Sequence, residues 1–95
     1  MEGFTEGRMV HYVMTGNEPS VLGHVKGQHR AAVVVRVFDS GHAEGTANLC
    51  VFVDGINDMA SESQKPDNLY GGMWRTSTLY SEGMEPGTWH WIERA

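Results

Sequence analysis

The sequence predicts an all-β fold, and three observations lead to this prediction. The chain has 95 residues, of which 12 are glycine and 40% are hydrophobic. Many glycines together with a modest apolar content favour short strands joined by turns. Two central runs are rich in β-branched residues, which fit a pleated surface, and apolar residues alternate with polar ones near both ends of the chain. No segment shows the period of an amphipathic helix.

The first predicted strand covers residues 8–13. Its alternation places Val10, Tyr12 and Met14 on one face, which we expect to point into the core. Turn-forming residues at 15–19 end the strand. Residues 20–28 contain two glycines and have no clean period, so we predict an excursion with a short strand at 21–25.

Two central strands are predicted, at residues 30–38 and 46–54. Both are apolar almost without interruption, a pattern that predicts burial on both faces. The polar turn at 39–45 is too short for a parallel crossover, so the two strands should form an antiparallel hairpin. Cys50 lies in the second strand and is interpreted as a small buried hydrophobe, because a lone cysteine excludes an intrachain disulfide.

The rest of the chain holds a polar stretch and two further strands. Residues 55–72 lack apolar anchors and predict a long polar loop. Strand patterns follow at 73–80 and 88–92. About five short antiparallel strands in a single domain over residues 1–95 predict a small SH3-like barrel, a closed arrangement that hides most sheet edges.

Charge and hydropathy exclude several classes of partner. The net charge is −5, and the 7 basic residues are scattered along the chain. Without a basic run, the counterion release that drives binding to DNA or RNA polymers is missing. No apolar run approaches the roughly 20 residues that cross a bilayer. The acidic start does not have the pattern of a signal peptide, so we expect no membrane partner and a cytoplasmic location.

The chain contains the short motifs V-H-Y at 10–12, A-A-V-V at 31–34, L-C-V-F at 49–52, Y-S-E at 80–82 and G-T-W-H-W at 87–91. Together, over most of the chain, these motifs resemble a family of small uncharacterised bacteriophage and prophage proteins. Leu79 and Ile92 depart from the pattern, since the family often has proline there. The resemblance implies a phage origin, in the host cytoplasm or alternatively in a virion, and a small β-barrel. It implies no activity.

The titratable residues show no spacing that is typical of catalysis or metal binding. Among the 5 histidines, His24 and His29 are five positions apart, without a neighbouring cysteine and without the helical spacing of a metalloprotease motif. The sequence therefore predicts no metal and no cofactor, although a zinc site assembled from distant strands remains an alternative. No nucleophile elbow occurs, and we predict a protein that is not an enzyme. A hydrolase built on Tyr80, Glu82 and His90 is the remaining enzymatic alternative.

The aromatic end of the chain is the candidate binding site. Trp89 and Trp91 share a strand face and are assigned to the core, whereas the candidate ligand- or partner-binding residues are Trp74, Arg75, Tyr80, Glu82 and His90. This mixture suits a nucleotide, because aromatic rings stack on bases and arginine pairs with phosphate. It equally suits a protein–protein hot spot or, for the aromatic rings, the filling of a small core.

From these observations we expect a non-enzymatic, phage-encoded accessory binding protein. It would capture a small nucleotide-like ligand or a host protein, as in counter-defence. A structural or decoration role in the virion is the alternative, and the sequence leaves a homo-oligomer open.

Overall fold

The described part of the chain contains five strands: β1 (Met9–Val13), β2 (His29–Phe38), β3 (Thr46–Phe52), β4 (Gly72–Tyr80) and β5 (Thr88–His90). In the computed structural model, which describes residues 1–18, 23–38, 41–54, 58 and 72–93, they close into one barrel in chain order. The predicted all-β class and small SH3-like barrel are confirmed. Where a short strand was predicted at 21–25, the described part, Gly23–Val25, is a 3-10 turn.

One joint of the barrel departs from the predicted antiparallel pattern. β1–β2, β2–β3, β3–β4 and β1–β5 all pair antiparallel, the second of these as the predicted hairpin. β4 and β5 pair in parallel. The parallel joint is a consequence of strand number, because strand directions cannot alternate all the way around a closed ring with an odd number of members.

The two central strands are buried on one face only, so the prediction of burial on both faces is wrong. Ala32 and Val34 of β2 point into the barrel, whereas Val35 is 41% exposed. In β3, Val51 is fully buried and the neighbouring Phe52 is 43% exposed. In a small closed barrel, inward-facing residues alternate with outward-facing ones along each strand, so alternate residues of β2 and β3 face outward. For the same reason Cys50 is half-buried on the outer face rather than part of the core.

Trp89 is the largest side chain inside the barrel. It is fully buried beside the predicted inward face of β1, with its ring 5.1 Å from that of Phe4 and 4.9 Å from that of Tyr80. Its indole Nε1 donates a hydrogen bond of 2.6 Å to the carbonyl oxygen of Gly45. Gly45 has φ +88°, and a Cβ atom there would lie 2.6 Å from Cβ of Tyr80, so this close approach requires glycine.

The predicted polar loop at 55–72 lies outside the described residues except for Asp58 and Gly72. Asp58 is buried, and its carboxylate accepts hydrogen bonds from the Arg30 guanidinium and from the backbone N–H of Asp54. These bonds tie residue 58 to β2 and to the end of β3. Within the described ranges, no helix has the length and apolar character to cross a membrane.

Candidate metal centre

The residues predicted to form a binding site lie in separate surroundings. Trp74 is 55% exposed on the outer face of β4. Arg75 is the next residue and points to the opposite side, where its guanidinium lies 5.8 Å from the centre of the Tyr12 ring. The hydroxyl of Tyr80 donates a 3.1 Å hydrogen bond to Glu82. Consequently, the contacts described for these side chains place them in different parts of the barrel rather than against one another.

His90 was expected to reach the surface, and this expectation is wrong, because the residue is 2% exposed. It lies directly opposite His11 in the β1–β5 ladder, with the two rings 5.8 Å apart. The ring of His29 is 4.7 Å from that of His90. The rings of His11 and His29 therefore both lie against the ring of His90, where β5 pairs with β1.

The strand pairing of β1 explains why these histidines meet. His11 lies between the buried Val10 and Tyr12, so its side chain points to the outer face of the barrel. On that face, His11 is opposite His90 of β5, while His29 of β2 is opposite Val13, the next outward-facing position of β1. His29 is therefore a diagonal neighbour of His11 on the outer face. Diagonal neighbours in a sheet are about 7–8 Å apart, which is within reach of long side chains. Three strands thus supply one histidine each.

Glu93 completes the cluster. β5 ends at His90 rather than at residue 92, and three residues later the carboxylate of Glu93 returns to the histidines. Its Oε1 lies 3.0 Å from Nδ1 of His11 and 3.1 Å from Nδ1 of His29, and it also contacts Nε2 of His90. The hydrogen bonds from His11 and His90 lower the pKa of Glu93 to about 2.

The arrangement has the composition and size of a metal site. One ligand atom from each of His11, His29, His90 and Glu93 lies within 4.8 Å of all the others. Tetrahedral zinc with nitrogen and oxygen ligands needs these atoms about 3.3 Å apart, so small side-chain rotations would suffice. Imidazole suits zinc and related transition metals, and a carboxylate is a common fourth ligand.

The ring nitrogens of the cluster are directed at one carboxylate. Three ring nitrogens converge on Oε1 of Glu93, and Nδ1 of His29 also lies 3.1 Å from Oε2. A cation at the point of convergence would let each nitrogen and the oxygen donate a lone pair to it. Nδ1 of His90 is buried and has no hydrogen-bond partner within the described ranges, so His90 has its polar contact through the cluster.

Glu18 is a carboxylate with a different set of partners. Glu18 is 3% exposed and accepts hydrogen bonds from the Tyr12 hydroxyl, from the backbone N–H and hydroxyl of Thr15, and from the N–H of Gly16. Burial raises the pKa of Tyr12 well above its ordinary value. All four donors to Glu18 are hydroxyl or backbone N–H groups, none of which is a side chain typical of a metal site, so Glu18 is a structural hydrogen-bond acceptor.

The sequence pattern missed His11, His29 and Glu93. Metal-ligand motifs are recognised by short spacing within one segment, whereas these ligands come from three separate parts of the chain: residue 11, residue 29 and residues 90–93. One feature of the sequence did point to His11 and His90. In V-H-Y at 10–12 and in W-H-W at 89–91, a histidine lies between two large apolar or aromatic residues, so the alternation of a strand places both histidines on the face opposite to those residues. Comparisons of the chain with family models, with curated proteins and with solved structures give no match, so the assignment depends on this geometry.

Proposed function

We propose that the protein is a metal-binding domain that holds one transition-metal ion, zinc above all, through His11, His29, His90 and Glu93. The observation that carries the proposal is the convergence of their four ligand atoms within 4.8 Å. Three imidazoles and a carboxylate form a four-coordinate set of the type that binds zinc tetrahedrally.

The metal would stabilise the position of β5, the strand with the shortest ladders to its neighbours. Two residue pairs join β5 to β1, and two join it to β4. His11 and His90 form the outer of the β1–β5 pairs, and His29 adds β2. A metal bound by all three therefore crosslinks three consecutive strands and holds the segment after β5 through Glu93.

The closed ligand set supports a non-enzymatic role. In structural sites the protein supplies all four ligands, whereas catalytic zinc keeps one position for water or substrate. We therefore retain the accessory binding role expected from the sequence, with the metal as an integral part of the domain. Phage origin stays a proposal that depends on the motif resemblance.

Metal titration of the purified, metal-free protein tests the proposal. We expect one zinc ion per chain and a melting temperature raised by roughly 10 °C or more when free zinc exceeds its Kd a hundredfold. His29→Ala should weaken zinc binding by at least about a hundredfold, because it removes a direct ligand. His29 is exposed at the start of β2, so the variant should still fold.

His24→Ala is the matched control, because His24 is exposed and lies outside the cluster. It should bind zinc as the unmodified protein does. A folded protein that binds no zinc would overturn the proposal and leave a hydrogen-bonded histidine–glutamate cluster. Equal zinc loss in the His24 and His29 variants would overturn the assignment of ligands.

A further inference from the structure

A cleft opens beyond the His11–His90 pair, at the point where β1 and β5 separate. The antiparallel ladder reaches the pair His11–His90, and continuing its register would place Met9 opposite Ile92. The chain leaves the strand instead. The space between the two segments is a cleft of about 510 Å³ lined by Gly7, Arg8, Met9, Trp91 and Ile92.

The cleft carries one cationic group and an apolar wall. The guanidinium of Arg8 lies 5.5 Å from the centre of the Trp91 ring, a cation–π contact that leaves its N–H groups available to an anion. Within the described residues, no ion pair joins Arg8 to a carboxylate. Met9 and Ile92 are 40% and 48% exposed, so the cleft also presents apolar surface.

Glu93 is the ligand that a solute could most easily replace. Its side chain is 37% exposed, compared with 31% for His29, 24% for His11 and 3% for His90. The histidines are held in strand ladders, but Glu93 follows β5 and belongs to no strand. It immediately follows Ile92, a residue of the cleft wall. Loss of this carboxylate would leave three histidines and an open position, the ligand arrangement that accepts an external group.

We propose that the cleft and the metal together form a binding site for a phosphate-bearing small molecule. A phosphate oxygen takes the place of the Glu93 carboxylate on the metal, Arg8 pairs with the remaining phosphate oxygens, and the organic part lies against Trp91 and Met9. The exchange is a ligand substitution, with no bond of the molecule broken and no change of oxidation state. This inference depends on the proposed metal centre.

Cobalt(II) in place of zinc gives a direct readout, because its visible absorption reports coordination geometry and ligand identity. Titration of the cobalt-loaded protein with inorganic phosphate should change the spectrum in a saturable way, while cobalt remains bound in equilibrium dialysis. Arg8→Gln should weaken the phosphate response by about tenfold or more, since it removes a charge-assisted hydrogen bond. Glu93→Gln should strengthen it, because the competing carboxylate is gone.

Arg36→Gln is the matched control, since the guanidinium of Arg36 is stacked on Phe38 rather than on the cleft. It should respond to phosphate as the unmodified protein does. Acetate, used as the second probe, should bind more weakly than phosphate, and an equal or stronger response would overturn the assignment to phosphate.

The possible failures are distinguishable. Absence of a cobalt spectrum would overturn the metal centre itself. A tetrahedral cobalt spectrum that phosphate leaves unchanged, a response that is equal in the Arg8→Gln and Arg36→Gln variants, or removal of cobalt from the protein by phosphate would overturn only the phosphate site.

Discussion

The two sides of the barrel are held together by different means. On one side, the β2–β3 ladder extends from Ala32–Val51 to Phe38–Thr46, and β3–β4 extends from Ala47–Thr78 to Phe52–Gly72. On the other side, the seam around β5 has two residue pairs with each neighbour. Where the backbone ladder is this short, side chains must hold the strand in place.

β5 shows how side chains do this on both faces of the sheet. Inside, Trp89 packs against the core and donates to Gly45. Outside, His90 lies beneath the other members of the histidine–glutamate cluster. The comparison teaches that a three-residue strand can close a barrel when each of its faces carries an anchor. Changes to seam side chains should therefore have larger effects than changes on the outer surface of the sheet.

The largest effect is expected at the inner anchor. Trp89→Ala should lower the free energy of unfolding by about 3–5 kcal/mol, because it leaves a cavity and an unpaired Gly45 carbonyl. Trp74→Ala, on the exposed outer face of β4, should change it by about 0.5 kcal/mol or less. Urea unfolding of both variants gives the comparison. Equal losses would contradict the distinction between seam and sheet surface.

A smaller effect is expected at the ion pair on the β2 side. Asp58→Asn should cost about 1–3 kcal/mol, because the half-buried Arg30 loses its charged partner. The hydrogen bond from Arg30 lowers the pKa of Asp58, so the paired form is the ionised one near neutral pH. A double-mutant cycle with Arg30→Gln measures the coupling. Additive losses in the double variant would show that the two groups do not stabilise each other.

The smallest effect concerns Glu18 and appears in acid. Burial alone would raise the pKa of Glu18, but hydrogen bonds from Thr15 and Tyr12 outweigh it and hold the pKa below its ordinary value. A folded pKa below the unfolded value of about 4.3 gives stability that is present above pH 4.3 and is lost as the pH falls through the folded pKa. In protein without added metal, the free energy of unfolding should therefore decrease less steeply below about pH 5 in the Glu18→Gln variant than in the unmodified protein. Urea unfolding at a series of pH values measures this. Parallel acid curves for the variant and the unmodified protein would contradict this.

The period-two pattern was sufficient to predict the strands and the inner face of the barrel. Val10, Tyr12 and Met14 point inward as predicted, and β2 and β3 form the predicted hairpin. The outer face was predicted poorly, because apolar residues such as Phe52 occur there without burial. Local periodicity cannot distinguish a strand buried on both faces from one whose outer face is apolar and exposed.

The site was harder to predict because it depends on pairing between distant strands. His11 and His90 become neighbours only once β5 has closed the barrel against β1. The end of β5 at His90 was also decisive, because a strand continuing through residue 92 would direct Glu93 along β1 instead of back to the histidines. The sequence analysis kept a zinc site from distant strands as an alternative, but it could not select the ligands without this topology.

The most direct test of the account is the nitrogen spectrum of the histidine rings. In protein labelled with nitrogen-15, one equivalent of zinc should shift the ring resonances of His11, His29 and His90. The pattern should show coordination through Nδ1 in His11 and His29 and through Nε2 in His90, the atoms that face Glu93. His24 and His42, which lie outside the cluster, should keep their resonances. Unchanged rings at positions 11, 29 and 90, or equal shifts in all five histidines, would contradict the proposed metal centre.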